Sequence, residues 1–344
     1  MTVVVSSPAI SYRCAPWTQA QGVDPIGSAL TCDTFVLIET PPPWPQDIGQ
    51  LPDFAELSQR GLRRTRLLAV RPLDDGLASG SSVTGAVADG AAETSPEASS
   101  PGTADAAGTG DQVAVTIWRR AETGRFLGTD HLIPADRVVD EAARLATAPI
   151  ENGRPAGEGQ PAPPDMLLCG HGSRDVCCGR LGTRLALDVA DTWPGVRVRR
   201  CSHTGGHRYA PTGFTLPDGL AWGFLDTDTL DGVVRRSGTP PVRGNYRGTT
   251  ALDQWGQVVE RELFERHGWA WLEHRLTSAS SDVAADRRSA TVHLGWDGPT
   301  GPGTATATVE VARDVPVLVC GEPPENARKT SPELGLTSLH ITPS

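Results

Sequence analysis

Alternating and helically spaced apolar positions predict a run of strands and helices over residues 165–286. The apolar segment DMLLC predicts a strand, and apolar residues that recur every four positions from Leu181 to Trp193 predict a helix that ends before Pro194. The segment VRVRRCS predicts a second strand, FTLPDGLAWGFL a hairpin and TTALDQWGQVVERELF a second helix. A strand, a crossover helix and another strand imply a parallel pair, which the hairpin extends. The order β-α-β-β-β-α therefore predicts a thioredoxin-like α/β sandwich.

Residues 1–150 show a similar order and predict a second thioredoxin-like α/β lobe. The strands TFVLIE and RLLAV flank a helix around DFAELSQRGL, and the strands VAVTIW and RFLG precede the helix ADRVVDEAARLA. This lobe contains none of the candidate ligands described below. A chance similarity between two α/β sequences is the alternative explanation.

Three further segments complete the predicted organisation. Residues 74–112 contain almost no aromatic or large aliphatic side chains, so they cannot bury enough apolar surface to offset the entropy of ordering. We expect a disordered insertion there. The Pro-, Gly- and Glu-rich residues 151–164 are interpreted as an interdomain linker. In residues 287–344, the segments ATVHLGW, ATATVEVA and VPVLVC predict the strands of a small C-terminal β extension.

Composition and charge restrict the class of protein. A chain of 344 residues, 38% of them hydrophobic, can form about two or three packed cores. The 31 basic and 41 acidic residues give a formal net charge of −10, which disfavours nucleic acid and anionic membranes as partners because both require a cationic surface. No apolar stretch has the length of a transmembrane helix, and the first ten residues lack the pattern of a signal peptide. We therefore expect a cytoplasmic protein.

Cysteine and histidine are concentrated in two short motifs, CGHGSRDVCCG at 169–179 and CSHTGGH at 201–207. Both motifs follow predicted parallel strands, and the carboxyl ends of such strands meet at one edge of a sheet. Two thiolates and two imidazoles would then come from Cys169, Cys178, His203 and His207. This set suits either a structural zinc ion or a 2Fe-2S cluster with one iron on sulfur and the other on nitrogen.

The spacing within the motifs bears on the choice of metal. Structural zinc sites usually take a pair of sulfurs from a knuckle of two to four intervening residues. Eight residues separate Cys169 from Cys178, and this wider loop favours a binuclear cluster. The two glycines of HTGGH would let the backbone approach a bulky inorganic core, although His-Gly-Gly also occurs in simple turns. Cys177 is adjacent to Cys178, and only the glycine that follows favours Cys178 as the ligand.

The two motifs and the continuation RYAPTGFTLPDGLAWGFL resemble the sucrase/ferredoxin-like family. The resemblance is specific over about residues 165–265 and looser in the N-terminal lobe, where ETPPPWP is similar to a Pro-Trp segment of the family. It implies a C-terminal thioredoxin-like ferredoxin domain with a 2Fe-2S cluster bound by two cysteines and two histidines, in a motif distinct from that of Rieske proteins. In this sequence the implied ligands are Cys169, Cys178, His203 and His207.

Other cysteines and one histidine admit a rival interpretation. The segments CGH and CSH could form a Rieske-like set from Cys169, His171, Cys201 and His203. A Rieske motif, however, has two residues between its second Cys and His, and Rieske domains are all-β. We expect His171 and Cys201 to support or pack against the site. The remaining thiols, expected to be merely buried or on the surface, are Cys14, Cys32 and Cys320.

These features predict an electron carrier rather than an enzyme. Two thiolates neutralise the charge of an oxidised cluster, so its reduction should be easier than with four thiolates, in the direction of Rieske potentials of about −150 to +300 mV. The second nitrogen of each imidazole could take up a proton with the electron, so the potential should fall as pH rises.

A redox partner protein and two other functions follow from the same residues. Seven arginines against four aspartates in residues 165–210 could steer an anionic redox partner, unless Arg197 and Arg199 only coat the solvent face of a strand. The alternative function is a structural zinc-binding module in an interaction protein. A thioredoxin-type thiol-disulfide enzyme would need a Cys-x-x-Cys motif, which is absent, and no carboxylate pair indicates a sucrase.

Overall fold

The structure, a computed structural model, describes part of the predicted insertion and nearly all of the chain around it. The described residues are 12–73, 111–151, 153–155 and 159–343. Of the insertion predicted at 74–112, residues 74–110 lie outside the described residues. Gln112 already begins a strand.

The N-terminal half has the predicted succession of strands and helices. Its elements are α1 (Cys14–Ala20), β1 (Thr34–Glu39), α2 (Pro52–Gln59), β2 (Thr65–Val70), β3 (Gln112–Arg120), β4 (Phe126–Pro134) and α3 (Val138–Thr147). Strand β1 pairs in parallel with β2 and antiparallel with β3, which pairs with β4. The segment TFVLIE is almost wholly buried, as expected for a strand covered on both faces.

Three short strands occupy the segment predicted as a linker. They are β5 (Ile150–Glu151), β6 (Arg154–Pro155) and β7 (Gln160–Pro161). Strands β5 and β6 pair with each other, and β7 pairs with the outer edge of β4. The connection between the halves therefore partly joins the sheet.

The C-terminal half repeats the topology of the first. Its elements are β8 (Asp165–Cys169), α4 (Thr183–Asp188), β9 (Arg197–Cys201), β10 (Gly213–Leu216), β11 (Leu220–Trp222), α5 (Thr227–Arg235), β12 (Tyr246–Thr249) and α6 (Gln254–His267). Strand β8 pairs in parallel with β9 and antiparallel with β10, which pairs with β11. A π-helical turn, Cys178–Gly182, leads into α4. The helix predicted to continue to Trp193 ends at Asp188, although Val189 and Trp193 are still buried.

The two halves form one mixed sheet of ten strands. Its order is β12-β11-β10-β8-β9-β2-β1-β3-β4-β7. At its centre β2 and β9 pair antiparallel, with Val70 opposite Cys201. Read outward from this junction, β2-β1-β3-β4 and β9-β8-β10-β11 have the same connections and directions. The predicted α/β fold of two similar lobes is confirmed, and the lobes share a continuous sheet.

A second, antiparallel sheet forms the C-terminal β extension. Its strands are β13 (Arg275–Val283), β14 (Ser289–Asp297), β15 (Gly303–Pro316) and β16 (Thr330–Pro343), paired in chain order. The sheet shares a hydrophobic core with α6, which begins at the N-cap Asp253. It starts before residue 287, where the sequence placed the extension. Of the predicted strand VPVLVC, only Val315 and Pro316 belong to β15.

None of the helices that the structure describes combines the length and the apolar character that crossing a bilayer requires.

Candidate metal centre

Three of the four predicted ligands meet at the carboxyl ends of β8 and β9. Cys169 is the last residue of β8, Cys178 opens the π-helical turn, and His203 follows β9. The Nδ1 atom of His203 lies 3.7 Å from the sulfur of Cys169 and 4.0 Å from that of Cys178. Both thiols are fully buried, whereas His203 is partly exposed. The sulfur and nitrogen donors therefore converge at the sheet edge where the predicted parallel strands end.

The two thiols of this group shift each other's pKa in opposite directions. A hydrogen bond from Cys178, together with the nearby His203, holds the pKa of Cys169 well below its ordinary value. The same hydrogen bond with Cys169, and then burial, raises the pKa of Cys178 well above its ordinary value. Of the two thiols Cys169 is the more acidic, and a metal ion at this point would displace protons from both sulfurs.

Glycine allows the helix that carries Cys178 to lie directly against the strand that carries Cys169. A Cβ atom at Gly182 would lie 1.9 Å from the carbonyl oxygen of Cys169. A Cβ atom at Gly179 would lie 2.3 Å from the Cα atom of Gly172. Both glycines belong to residues 170–180, which we call the ligand loop. Larger residues would force the two thiols apart, so these glycines set the geometry of the sulfur pair.

The N-terminal half holds the His203 loop in position, although it supplies none of the four predicted ligands. Arg66 of β2 donates a hydrogen bond to the carbonyl oxygen of His203. The backbone N–H of His203 donates to Nδ1 of His171 at 3.1 Å, and Nε2 of His171 lies 2.8 Å from the carbonyl oxygen of Pro45. The ring of Trp44 packs edge-on against His171 at 5.7 Å between centroids. The segment ETPPPWP therefore reaches the site through His171.

His207 approaches the site from a different side. Its ring centroid is 6.2 Å from that of His203. Its Nδ1 atom lies 3.3 Å from Oδ2 of Asp175 and 3.4 Å from the sulfur of Cys14. A carboxylate that accepts a hydrogen bond from one imidazole nitrogen fixes the tautomer and leaves the other nitrogen available to a metal. Nε2 of His207 is then its available donor atom.

A buried arginine supports the backbone between the two histidines. Arg247 donates to the carbonyl oxygen of Gly205 at 3.1 Å and to that of Ser28 at 2.7 Å. Burial lowers the pKa of Arg247 to about 10. Gly205 and Gly206 both have positive φ, and a Cβ atom at Gly206 would lie 2.7 Å from the guanidinium group. The paired glycines of HTGGH are thus required by a left-handed turn and by this close contact.

Cys177 faces away from the group formed by Cys169, Cys178 and His203. Its sulfur lies 3.3 Å from that of Cys320, which lies 3.5 Å from that of Cys14. Hydrogen bonds from Cys14 and then Cys177 hold the pKa of Cys320 well below its ordinary value. No sequence pattern predicts that Cys14 and Cys320 meet, because no local spacing connects residues 306 positions apart.

The residues of the rival Rieske-like set are neighbours, but two of them are engaged in other contacts. The imidazole of His171 is engaged by Pro45 and by the His203 backbone. Cys201 belongs to the hydrophobic core at the junction of the two halves, and burial raises its pKa well above the ordinary value. Cys32 lies in the same core and donates to the carbonyl oxygen of Thr34 at 2.9 Å. These residues support or pack around the site.

Neither Arg197 nor Arg199 coats a solvent face, which was the alternative to partner docking. Arg199 is buried and pairs with Glu39 of the N-terminal half at 2.7 Å. Arg197 pairs with Asp165 at 2.9 Å and with a second aspartate across the sheet. Strand β9 lies in the middle of the joined sheet, so its polar face meets the other half instead of water. In the ligand loop, Arg174 and Arg180 are exposed.

The donor set fits the chemistry of a metal centre. Two buried thiols, one of them with a lowered pKa, and two partly exposed imidazoles are soft and borderline ligands for iron or zinc. Glycine leaves room for the loops to pass closely around the sulfur pair. The same side chains would be poor ligands for magnesium or calcium, which prefer oxygen.

Comparison with known proteins shows the family of the chain. A family model described as Sucrase/ferredoxin-like matches residues 25–248, which is more than half of the chain. The chain is 31% identical over 102 residues to "Altered inheritance of mitochondria protein 32" of Meyerozyma guilliermondii. This match covers 24% of the chain and 33% of the other protein, so the chain spans about a third of that relative's length. No solved structure matched the chain.

Proposed function

The chain belongs to the sucrase/ferredoxin-like family, and on that premise we propose that it is an electron-transfer protein with a 2Fe-2S cluster. The proposed ligands are Cys169, Cys178, His203 and His207. The observation that carries the proposal is the meeting of two buried thiols and an imidazole nitrogen at one sheet edge. When bound, such a cluster takes up and releases one electron at a time.

The protein residues around these ligands perform two tasks. Burial of Cys169 and Cys178 excludes water from the sulfur side, while the partly exposed histidines leave an edge near the surface. Arg66 bonds the carbonyl oxygen of His203, and His171 accepts the backbone N–H of the same residue. The segment that carries the imidazole is therefore held in place before any metal binds. We infer a preformed site with one accessible side through which electrons pass.

Proton exchange belongs to the same proposal. Nδ1 of His203 faces the thiols, which leaves Nε2 to hold or release a proton. In His207 the arrangement is reversed, and Nδ1 shares its proton with Asp175. Electron uptake makes these free nitrogens more basic, so proton uptake should accompany it. We expect the reduction potential to fall as pH rises.

A redox partner protein with an acidic surface is the proposed docking partner. Arg174 and Arg180 are exposed on the loop that carries the two cysteine ligands, whereas Arg197 and Arg199 are occupied by ion pairs. Arg174 and Arg180 would supply docking charge at the rim of the site, where it would steer a partner toward the accessible edge. The seven cysteines are free thiols, which suits the reducing cytoplasm that we propose as its compartment.

The test compares adjacent cysteines in the full chain. Iron and sulfide content, the visible spectrum and the reduced-state EPR spectrum are measured after anaerobic purification. We expect about two irons and two sulfides per chain, lost in Cys178→Ser and kept in Cys177→Ser, whose sulfur faces Cys320. Cys32→Ser is the matched control because a serine hydroxyl can also donate to the Thr34 carbonyl. A colourless wild-type protein without iron would refute the proposal.

A structural zinc module is the second candidate function. Sulfur and nitrogen ligands of one tetrahedral zinc ion are about 3.6 Å apart. The separations of His203 Nδ1 from the two sulfurs, 3.7 and 4.0 Å, are close to that value. One zinc per chain that is lost in Cys178→Ser, with no iron in the wild type, would favour this function.

A further inference from the structure

A second group of thiols lies beside the proposed cluster site and uses none of its four ligands. Cys14 begins α1, Cys177 precedes the π-helical turn, and Cys320 lies in the loop after β15. With the carboxylate of Asp175, their ligand atoms all lie within 4.8 Å of one another. Three distant parts of the chain thus bring three free thiols and a carboxylate to one point.

The separations in this group match those around one tetrahedral ion. With bonds of about 2.3 Å to sulfur and 2.1 Å to oxygen, zinc ligands lie about 3.8 Å apart for two sulfurs and about 3.6 Å apart for sulfur and oxygen. The sulfur of Cys320 lies 3.3 Å from that of Cys177 and 3.5 Å from that of Cys14. Oδ1 of Asp175 lies 3.5 Å from the Cys14 sulfur and 3.7 Å from the Cys320 sulfur.

The electrostatics of the group also suit a cation. The Asp175 side chain is only 4% exposed, and it accepts the backbone N–H of Cys177 while facing the sulfurs of Cys14 and Cys320. A divalent ion would balance part of the negative charge that this carboxylate and the neighbouring thiolates bring together. Three thiolates and one carboxylate with a divalent ion carry a net charge of −2. Structural zinc sites with four cysteines have the same net charge.

We propose that Cys14, Cys177, Cys320 and Asp175 form a structural zinc site distinct from the cluster site. The ion fastens the N-terminal helix α1 and the loop after β15 to the segment that carries Cys178. Two hydrogen bonds already connect the start of α1 with the loop after β15. One runs from the Cys14 N–H to the Cys320 sulfur, and the other from the Gly321 N–H to the carbonyl oxygen of Tyr12.

Asp175 connects the two sites because its carboxylate contacts both. Oδ1 lies near the sulfurs of Cys14 and Cys320, and Oδ2 faces Nδ1 of His207 and lies 3.6 Å from the sulfur of Cys14. Oδ1 also accepts the backbone N–H of Cys177 at 2.8 Å. Zinc bound to Oδ1 would steady the carboxylate that orients His207, so the second site supports the first without contributing a ligand to it. Loss of this zinc should speed the release of iron without preventing iron from binding.

The test is a metal inventory of the full chain and three serine variants. Protein is purified anaerobically from cells supplied with zinc and iron, dialysed against metal-free buffer and analysed for both metals. We expect one tightly bound zinc in the wild type, at least a tenfold loss of zinc in Cys320→Ser, and unchanged zinc in Cys169→Ser and in the control Cys32→Ser. Cys320→His supplies another zinc ligand and should recover most of the zinc, which separates ligand loss from misfolding.

The outcomes distinguish this site from the first. Absence of zinc in the wild type, or equal zinc in Cys320→Ser, overturns the proposal. Zinc lost in Cys169→Ser but kept in Cys320→Ser also overturns it and assigns the ion to the first site. A disulfide between any two of Cys14, Cys177 and Cys320, detected by alkylation and mass spectrometry of the freshly purified protein, is equally contradictory. The presence or absence of iron does not affect these outcomes.

Discussion

The substitution Gly182→Ala tests whether helix-to-strand contact sets the metal centre. In an open helix, alanine is more stable than glycine by about 1 kcal/mol. At residue 182 the new Cβ atom would lie 1.9 Å from the Cys169 carbonyl oxygen, whereas non-bonded atoms are best separated by about 3.5 Å. The helix and the strand must therefore separate by about 1.6 Å. Overpacking of this kind costs about 1–3 kcal/mol, so we expect destabilisation instead of the usual gain.

The metal centre should be affected more than the fold. Metal–ligand distances tolerate deviations of about 0.2 Å, far less than the shift that Gly182→Ala requires between the residues carrying the two sulfurs. We expect the variant to fold but to retain less than a tenth of the wild-type iron. Urea unfolding measures the stability, and iron analysis with the visible spectrum measures the occupancy.

A glycine in another helix provides the control. Gly232 lies within α5, and its Cβ position has only the carbonyl oxygen of Ser237 nearby, at 3.6 Å. Gly232→Ala should raise the free energy of unfolding by up to about 1 kcal/mol and leave iron unchanged. Equal stability changes in the two variants, or full iron content in Gly182→Ala, would refute the argument that this contact positions the thiols.

Three other predictions concern titration, ligand orientation and docking. Burial raises the pKa of Glu260 to about 7 from an ordinary 4.5. The free energy of unfolding of the wild type should therefore fall by about 3 kcal/mol as pH rises through this interval. Urea unfolding at pH 5 and pH 8 should show that Glu260→Gln abolishes this dependence on pH. Asp175→Asn replaces the carboxylate facing His207 with a weaker acceptor and should speed iron loss to a chelator about 10- to 100-fold. Arg174→Glu combined with Arg180→Glu should slow oxidation of the reduced protein by ferricyanide about tenfold at low salt and accelerate oxidation by a cationic cobalt ammine. If the double variant reacts with each oxidant at the wild-type rate, steering is contradicted.

The sequence predicted the meeting of Cys169, Cys178 and His203 because the controlling information is local. Cys169 ends a strand, Cys178 opens the turn before a helix and His203 follows a strand, and the apolar patterns of these elements are clear. Parallel neighbours bring their carboxyl ends together. Cys178 and Cys177 differ by a helical rotation of about 100°, so they face opposite groups. Only the observed start of the helix could determine which of them faces His203.

Long-range pairing explains what the sequence did not predict. The single registered pair of Val70 and Cys201 joins two sheets into one, and no periodicity in either strand specifies it. Because of this junction, Arg199 meets Glu39 instead of water. The convergence of Cys14 with Cys320 likewise depends on where the C-terminal sheet packs, which no motif near either cysteine encodes.

The junction also explains why a lobe without any of the proposed cluster ligands is part of the centre. Arg66 belongs to β2, the strand next to β9, and its guanidinium reaches the carbonyl oxygen of His203 from the other half of the sheet. Burial lowers the pKa of Arg66, and Nε has no partner among the residues that the structure describes. A charge held in this way destabilises the fold, so packing alone would favour an apolar residue there. Its hydrogen bond to the His203 backbone lets the N-terminal half fix the position of a proposed ligand that the C-terminal half supplies.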